Sequence, residues 1–129
     1  MTIFSKIIAG EIPSYKVAES PDFYAFLDIN PLVKGHVLVV PKKEVDYLFD
    51  LDDKTLGNMM IFSKQVASAM KKAIPCKRIG ITVIGLEVPH AHIHLVPIVQ
   101  ESDIHFNKPK QKLSSDEFKK IAAAIAENF

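Results

Sequence analysis

Cysteine is nearly absent from this 129-residue chain, which has only Cys76. That excludes an internal disulfide framework and any zinc knuckle built from two or four cysteines of one chain. A surplus of charge is missing too: 16 basic residues face 15 acidic ones, for a net charge of +1. Binding of nucleic acid through a broad basic face is thereby excluded, although a small local pocket is not. The longest apolar stretches, such as Val37-Leu38-Val39-Val40, are far too short to span a bilayer. The opening Met1-Thr2-Ile3-Phe4-Ser5-Lys6-Ile7-Ile8 has no basic stretch followed by a long apolar one, the pattern of a secretory leader. The expectation is a soluble cytoplasmic protein with neither membrane nor nucleic-acid partners.

What is present suits one core. Apolar residues make up 48% and charged residues 24% of the chain, near the globular average. A chain of this length buries roughly 65–70% of its unfolded surface without staples. No repeat, low-complexity tract or linker is visible, so residues 1–129 are expected to form one domain.

The hydrophobic pattern predicts a short helical turn over Ser5–Ala9, ended by Gly10 and kept from restarting by Pro13. Tyr15–Glu19 and Phe23–Ile29 read as a hairpin split by Ser20-Pro21-Asp22, and Gly35–Pro41 as a buried strand closed by its proline. From Asp53 to Ile74 the period becomes helical, with Leu56, Met59, Met60, Ser63, Val66, Ala67, Met70 and Ile74 on one face. Asp52 or Asp53 is placed to cap this helix, and Pro75 to stop it. The methionines on that face read as core filler. Arg78–Ile84 and Ala91–Val99 read as strands, and Ser114 with Glu117 as a capping box opening a helix that carries Phe118, Ile121, Ala122 and Ile125. This order of elements predicts an α+β fold with a mostly antiparallel sheet.

Pro89-His90-Ala91-His92-Ile93-His94-Leu95-Val96-Pro97 carries the chemistry. Side chains alternate along a strand, so His90, His92 and His94 share one face while Ala91, Ile93 and Leu95 bury the other. Three imidazoles in register are poorly explained by packing. Two chemistries suit them. Neutral imidazoles can hold a catalytic metal, with His36 and Glu87 as further candidate ligands. Alternatively, one imidazole attacks phosphorus while its neighbours orient it and move protons. Spacing alone leaves both open.

His90-Ala91-His92-Ile93-His94-Leu95-Val96 resembles the motif of the histidine-triad (HIT) family, in which histidines alternate with apolar residues. Thr2–Ile8 with Glu11-Ile12-Pro13, Ala25–Pro31 and Gly35–Lys43 resemble further stretches of its nucleoside-phosphoramidase branch, in the right order. The resemblance implies a five-stranded antiparallel sheet with a long helix and a C-terminal helix, and a homodimer joined through that helix and a strand edge. It also implies hydrolysis or transfer at the α-phosphorus of purine nucleotide conjugates, such as adenosine 5′-phosphoramidates or aminoacyl-adenylate-like compounds, with no cofactor. His92 would be the nucleophile, His94 would contact the phosphate and leaving group, and His90 would orient and relay protons. His36 would support His90, Asp28 would bind the ribose hydroxyls, and Ile3, Phe4, Ile7, Ile12, Phe26 and Ile29 would hold the base.

One stretch departs from the family pattern. Ile84-Gly85-Leu86-Glu87-Val88-Pro89 has no Ser, Thr, Gln or Asn, and Glu87 stands where a phosphate-contacting serine is expected. The departure favours, as an alternative, a nucleotide-binding regulatory protein with weak catalysis; a three-histidine metal hydrolase is the other rival. The segment after Gln100 reads as exposed, with His105 unremarkable; the alternative, implied by the resemblance, is that this C-terminal segment lies near the active site and reaches a substrate's leaving group. Lys42-Lys43 and Lys71-Lys72 read as solvated charge, the first pair being a possible attractor of phosphate.

Overall fold

A computed structural model describes residues Met1–Phe129. Helix α1 covers Ile3–Ile8, followed by strands β1 Lys16–Glu19, β2 Phe23–Leu27 and β3 Val37–Pro41. The long helix α2 spans Asp53–Ala73, and strands β4 Arg78–Thr82 and β5 Ile93–Ile98 precede helix α3, Ser115–Glu127. The strands form a five-stranded antiparallel sheet in the order β1-β2-β3-β5-β4. The architecture is α+β, as the sequence predicts.

Alternation along β2 and β3 builds a core on each side of the sheet. Phe23, Ala25, Leu27, Val37 and Val39 face one way and meet α2 and α3 through Met59, Phe62, Val66, Met70, Phe118 and Ile125. Tyr24, Phe26, Leu38 and Val40 face the other way and are covered by Phe4 and Ile7 of α1. Central strands buried on both faces read as continuous apolar runs, which is why Val37–Val40 has no polar interruption.

The caps explain the helix limits. Thr2 Oγ1 accepts the Ser5 N–H (3.0 Å), so α1 starts at Ile3, two residues before the expected Ser5. Gly10, with φ of +81°, ends that turn. Asp52 caps α2 through the Thr55 N–H (3.3 Å), and the Ser114–Glu117 capping box opens α3. On α2 the buried stripe is Met59, Phe62, Ser63, Val66, Ala69 and Met70. Met60 was expected on it but is half exposed, because one residue's step of about 100° carries it off the face that Met59 centres.

Strand ends also differ from expectation. Strand β4 stops at Thr82 and β5 starts at Ile93, so His90 and His92 precede the regular strand. The cause is a change of partner: the Ala91 N–H bonds to the Val45 carbonyl (2.7 Å) and the His90 N–H to the Val88 carbonyl (2.8 Å), outside the sheet ladder. Alternation nevertheless survives, since Ala91, Ile93 and Leu95 all join the α2-side core.

Candidate active site

The α1 side of the sheet holds a cavity of about 480 Å³. Its walls come from α1, the end of β2, Leu38, the Ile84–Val88 loop and the segment containing Phe106 and Lys110. Ile3, Phe4, Ile7, Ile12, Phe26, Ile29, Asp28, His92 and His94 all line it, leaving only His90 and His36 of the expected site residues behind the wall. Ile3 and Ile29 are exposed at its rim, whereas Phe4 and Phe26 are buried at its base.

Hydrogen bonds fix the proton on each imidazole. A carbonyl oxygen can only accept, so His92 Nδ1 carries a proton and donates it to the His90 carbonyl (2.7 Å), and in the neutral ring the lone pair is then on Nε2. His92 Nε2 has no protein partner and is not sealed from solvent, and the ring lines the cavity edge-on to Phe4. His90 is bonded at both nitrogens: Nε2 donates to the Pro41 carbonyl (2.8 Å) and Nδ1 accepts from Thr2 Oγ1 (2.7 Å). Glu44 Oε1 steadies that corner by accepting the Thr2 N–H (2.7 Å) and the Ser5 hydroxyl (2.6 Å).

A second relay starts at backbone. The Leu32 N–H donates to His36 Nδ1 (3.1 Å), so the His36 proton sits on Nε2 and points at His94 Nδ1, 2.9 Å away. His94 Nδ1 is then the acceptor, and its Nε2–H remains free to donate into the cavity. Burial is the main cause holding His36 at about 3, with the repulsion it would meet from a protonated His94 second. Burial first, then the repulsion a protonated His92 would exert, lowers His94 to about 4. Both rings are therefore neutral near neutral pH.

The resemblance places His36 in support of His90; the structure places it on His94. Antiparallel register is the reason. Leu38 pairs with His94 and Val39 with Ile93, so His36 comes beside His94 while His90 falls near Pro41 at the other end of β3. Asp28 sits at the end of β2, with Oδ1 accepting the Asn30 N–H (2.8 Å). Burial raises its pKa, partly opposed by that backbone bond. Its Oδ2 lies 3.7 Å from His36 Nε2, and with His36 neutral the two do not form an ion pair.

Asp28, His36 and His94 are the one group whose donor atoms come close enough for a metal, within 4.8 Å of one another. The set fits a metal poorly, because the Leu32 amide holds the His36 proton on Nε2, the very atom that would have to ligate. The triad itself does not converge on a point, since both nitrogens of His90 are spent on Thr2 and Pro41.

Several contributors went unread in the sequence. Phe106 lies in the segment expected to be exposed, yet its ring packs edge-on against His94 at 4.8 Å between centroids. It is the only aromatic in Glu101–Lys110, which is the signal that could have marked it. Thr2 and Glu44 act through hydrogen bonds to residues distant in sequence, which no periodicity announces. Lys42, a possible phosphate attractor, is instead paired with Glu19 at 2.7 Å.

Comparison with known proteins identifies the family and the fold. The HIT domain model matches residues 9–101. An uncharacterised HIT-like protein of Borreliella burgdorferi is 37% identical, covering 98% of this chain and 96% of that protein. An adenosine 5′-monophosphoramidase of Saccharomyces cerevisiae is 38% identical over 92% of this chain and 77% of its own length. The solved structure of a Hit-like protein involved in cell-cycle regulation from Bartonella henselae superposes with a TM-score of 0.85 at 32% identity, covering 99% of this chain and 96% of that one. The chain belongs to the HIT domain family.

Proposed function

We propose that this chain is a nucleotide hydrolase or transferase acting at the α-phosphorus of purine nucleotide conjugates through a nucleotidyl-histidine on His92. The observation that carries this reading is the His92 Nδ1 bond to the His90 carbonyl, which spends Nδ1 and leaves Nε2 as the ring nitrogen available to the cavity. The Saccharomyces cerevisiae relative's name supports adenosine 5′-phosphoramidate-like substrates, with aminoacyl-adenylate-like compounds as the neighbouring class. His92 Nε2 forms a bond to phosphorus as the bond to the leaving amine or carboxylate breaks. The His94 Nε2–H donates to a phosphoryl oxygen or to the leaving atom, and His90 holds the nucleophile in place. Water then attacks the same phosphorus, the P–N bond to His92 breaks, and nucleoside monophosphate leaves; the proton that water loses replaces the one taken by a leaving amine, or passes to solvent when the leaving group is a carboxylate. Asp28 binds the ribose hydroxyls, while Ile3, Phe4, Ile7, Ile12, Phe26 and Ile29 hold the base. No cofactor enters these steps.

The reading includes one HIT-like domain over residues 1–129, a cytoplasmic location and a homodimer. Edge strand β4 with its exposed Ile81, and exposed Met60 and Ile61 on α2, support pairing with a second copy. No helix is long and apolar enough to cross a membrane. A second reading, nucleotide binding with weak catalysis, is favoured by the Ile84–Pro89 loop, which puts the exposed carboxylate of Glu87 and no hydroxyl side chain at the cavity.

Turnover of adenosine 5′-phosphoramidate in excess chelator separates these readings. Wild type should turn over undiminished, and His92→Ala should lose roughly three orders of magnitude or more. Turnover that His92→Ala retains would refute the histidine mechanism. Tight AMP binding without turnover in wild type would favour the binding role.

A further inference from the structure

The segment after β5 brings one cation to the cavity. Phe106 seats the segment on His94 and His36, with centroid distances of 4.8 and 6.2 Å. The Gln111 N–H ties it down again by donating to the Pro31 carbonyl (2.8 Å), three residues beyond Asp28. Between these anchors, Lys110 Nζ donates to the Phe106 carbonyl (3.0 Å) and lies 5.1 Å from the Phe106 ring centroid. Lys108, two residues earlier, is spent on Asp103 at 3.9 Å, whereas Lys110 has no carboxylate partner.

Charge in the cavity is unbalanced. Two carboxylates, Asp28 and Glu87, line it, and Lys110 is the only lysine or arginine that does. A phosphoryl anion entering beside His92 meets two carboxylates and one cation, so Lys110 is the only formal positive charge in the lining that can offset the repulsion. We infer that Lys110 is the phosphoryl-binding cation of this site, swinging from the Phe106 carbonyl to an oxygen of the bound nucleotide's α-phosphate. The inference rests on the functional reading above and assigns to the segment after Gln100 the charge that the Ile84–Pro89 loop does not supply. The Lys110 charge already bears on Asp28, His36 and His94, whose proton affinities it lowers.

Calorimetric binding of AMP and of adenosine to wild type, Lys110→Gln and Lys110→Arg tests this. Lys110→Gln should weaken AMP roughly tenfold and leave adenosine unchanged, while Lys110→Arg keeps most of the AMP affinity. The AMP deficit should also shrink as salt rises. Unchanged AMP affinity in Lys110→Gln would overturn the inference while leaving the functional reading intact. Equal losses for AMP and adenosine would overturn it too, by reducing Lys110 to packing of the segment. Failure of wild type to bind AMP at all would overturn the functional reading and the inference with it.

Discussion

His36 Nε2 lies 2.9 Å from His94 Nδ1, and the Leu32 N–H on the far side of His36 decides which of them donates. An amide hydrogen has one direction, so the relay runs from backbone through His36 to His94 and leaves a donor facing the cavity. Long-range proton–nitrogen NMR should therefore find His36 and His94 as Nε2–H tautomers at neutral pH and His92 as Nδ1–H. A proton on His94 Nδ1 would contradict the relay.

Stability should fall on acidification, through these same rings. His36 and His94 have folded values near 3 and near 4, against an ordinary 6.5. Between those limits the unfolded chain binds protons that the folded chain refuses, so stability rises with pH and is lost as pH drops below about 6.5. His90, also lowered by burial, acts in the same direction. Asp28, raised by burial, acts in the opposite direction at the acid end. Urea unfolding should show a loss on the order of 4 kcal/mol by about pH 4.5, with a shallower slope in His36→Gln. A midpoint flat across that range would contradict the buried neutral pair.

Thr2 serves both helix and triad. Its hydroxyl caps α1 and donates to His90 Nδ1, whose residue carries the carbonyl that orients His92. Thr2→Val should cost about 1–2 kcal/mol of stability and lower turnover, whereas Thr2→Ser keeps both. Loss of stability with full turnover would separate the cap from the site.

Ser63 faces the core of α2 with an Oγ that has no hydrogen-bond partner. Ser63→Ala removes a buried, unpaired hydroxyl and adds helix propensity, so it should stabilise the fold by about 1 kcal/mol. A cost of similar size would mean that the hydroxyl has a partner after all.

Period and punctuation made most of the fold legible. Apolar runs announced β2 and β3, Ser114 and Glu117 announced α3, and alternation put His90, His92 and His94 opposite Ala91, Ile93 and Leu95. What stayed hidden depends on register and on contacts distant in sequence. Only the pairing of Leu38 with His94 shows that His36 serves His94 rather than His90. Phe106 sits in a polar segment whose course follows from the Gln111–Pro31 backbone bond, and residue type does not encode that bond. Met60 differs from Met59 only by one step around a helix, too fine a distinction for a pattern of threes and fours.

Intact-mass and peptide analysis of protein quenched in acid or alkali during turnover of adenosine 5′-phosphoramidate tests the central claim most directly. The account predicts a transient increment of one nucleotidyl group on the peptide containing His92, stable in alkali, labile in acid and absent from His92→Ala. Turnover with no such adduct under alkaline quench, or an adduct that persists in His92→Ala, would contradict it.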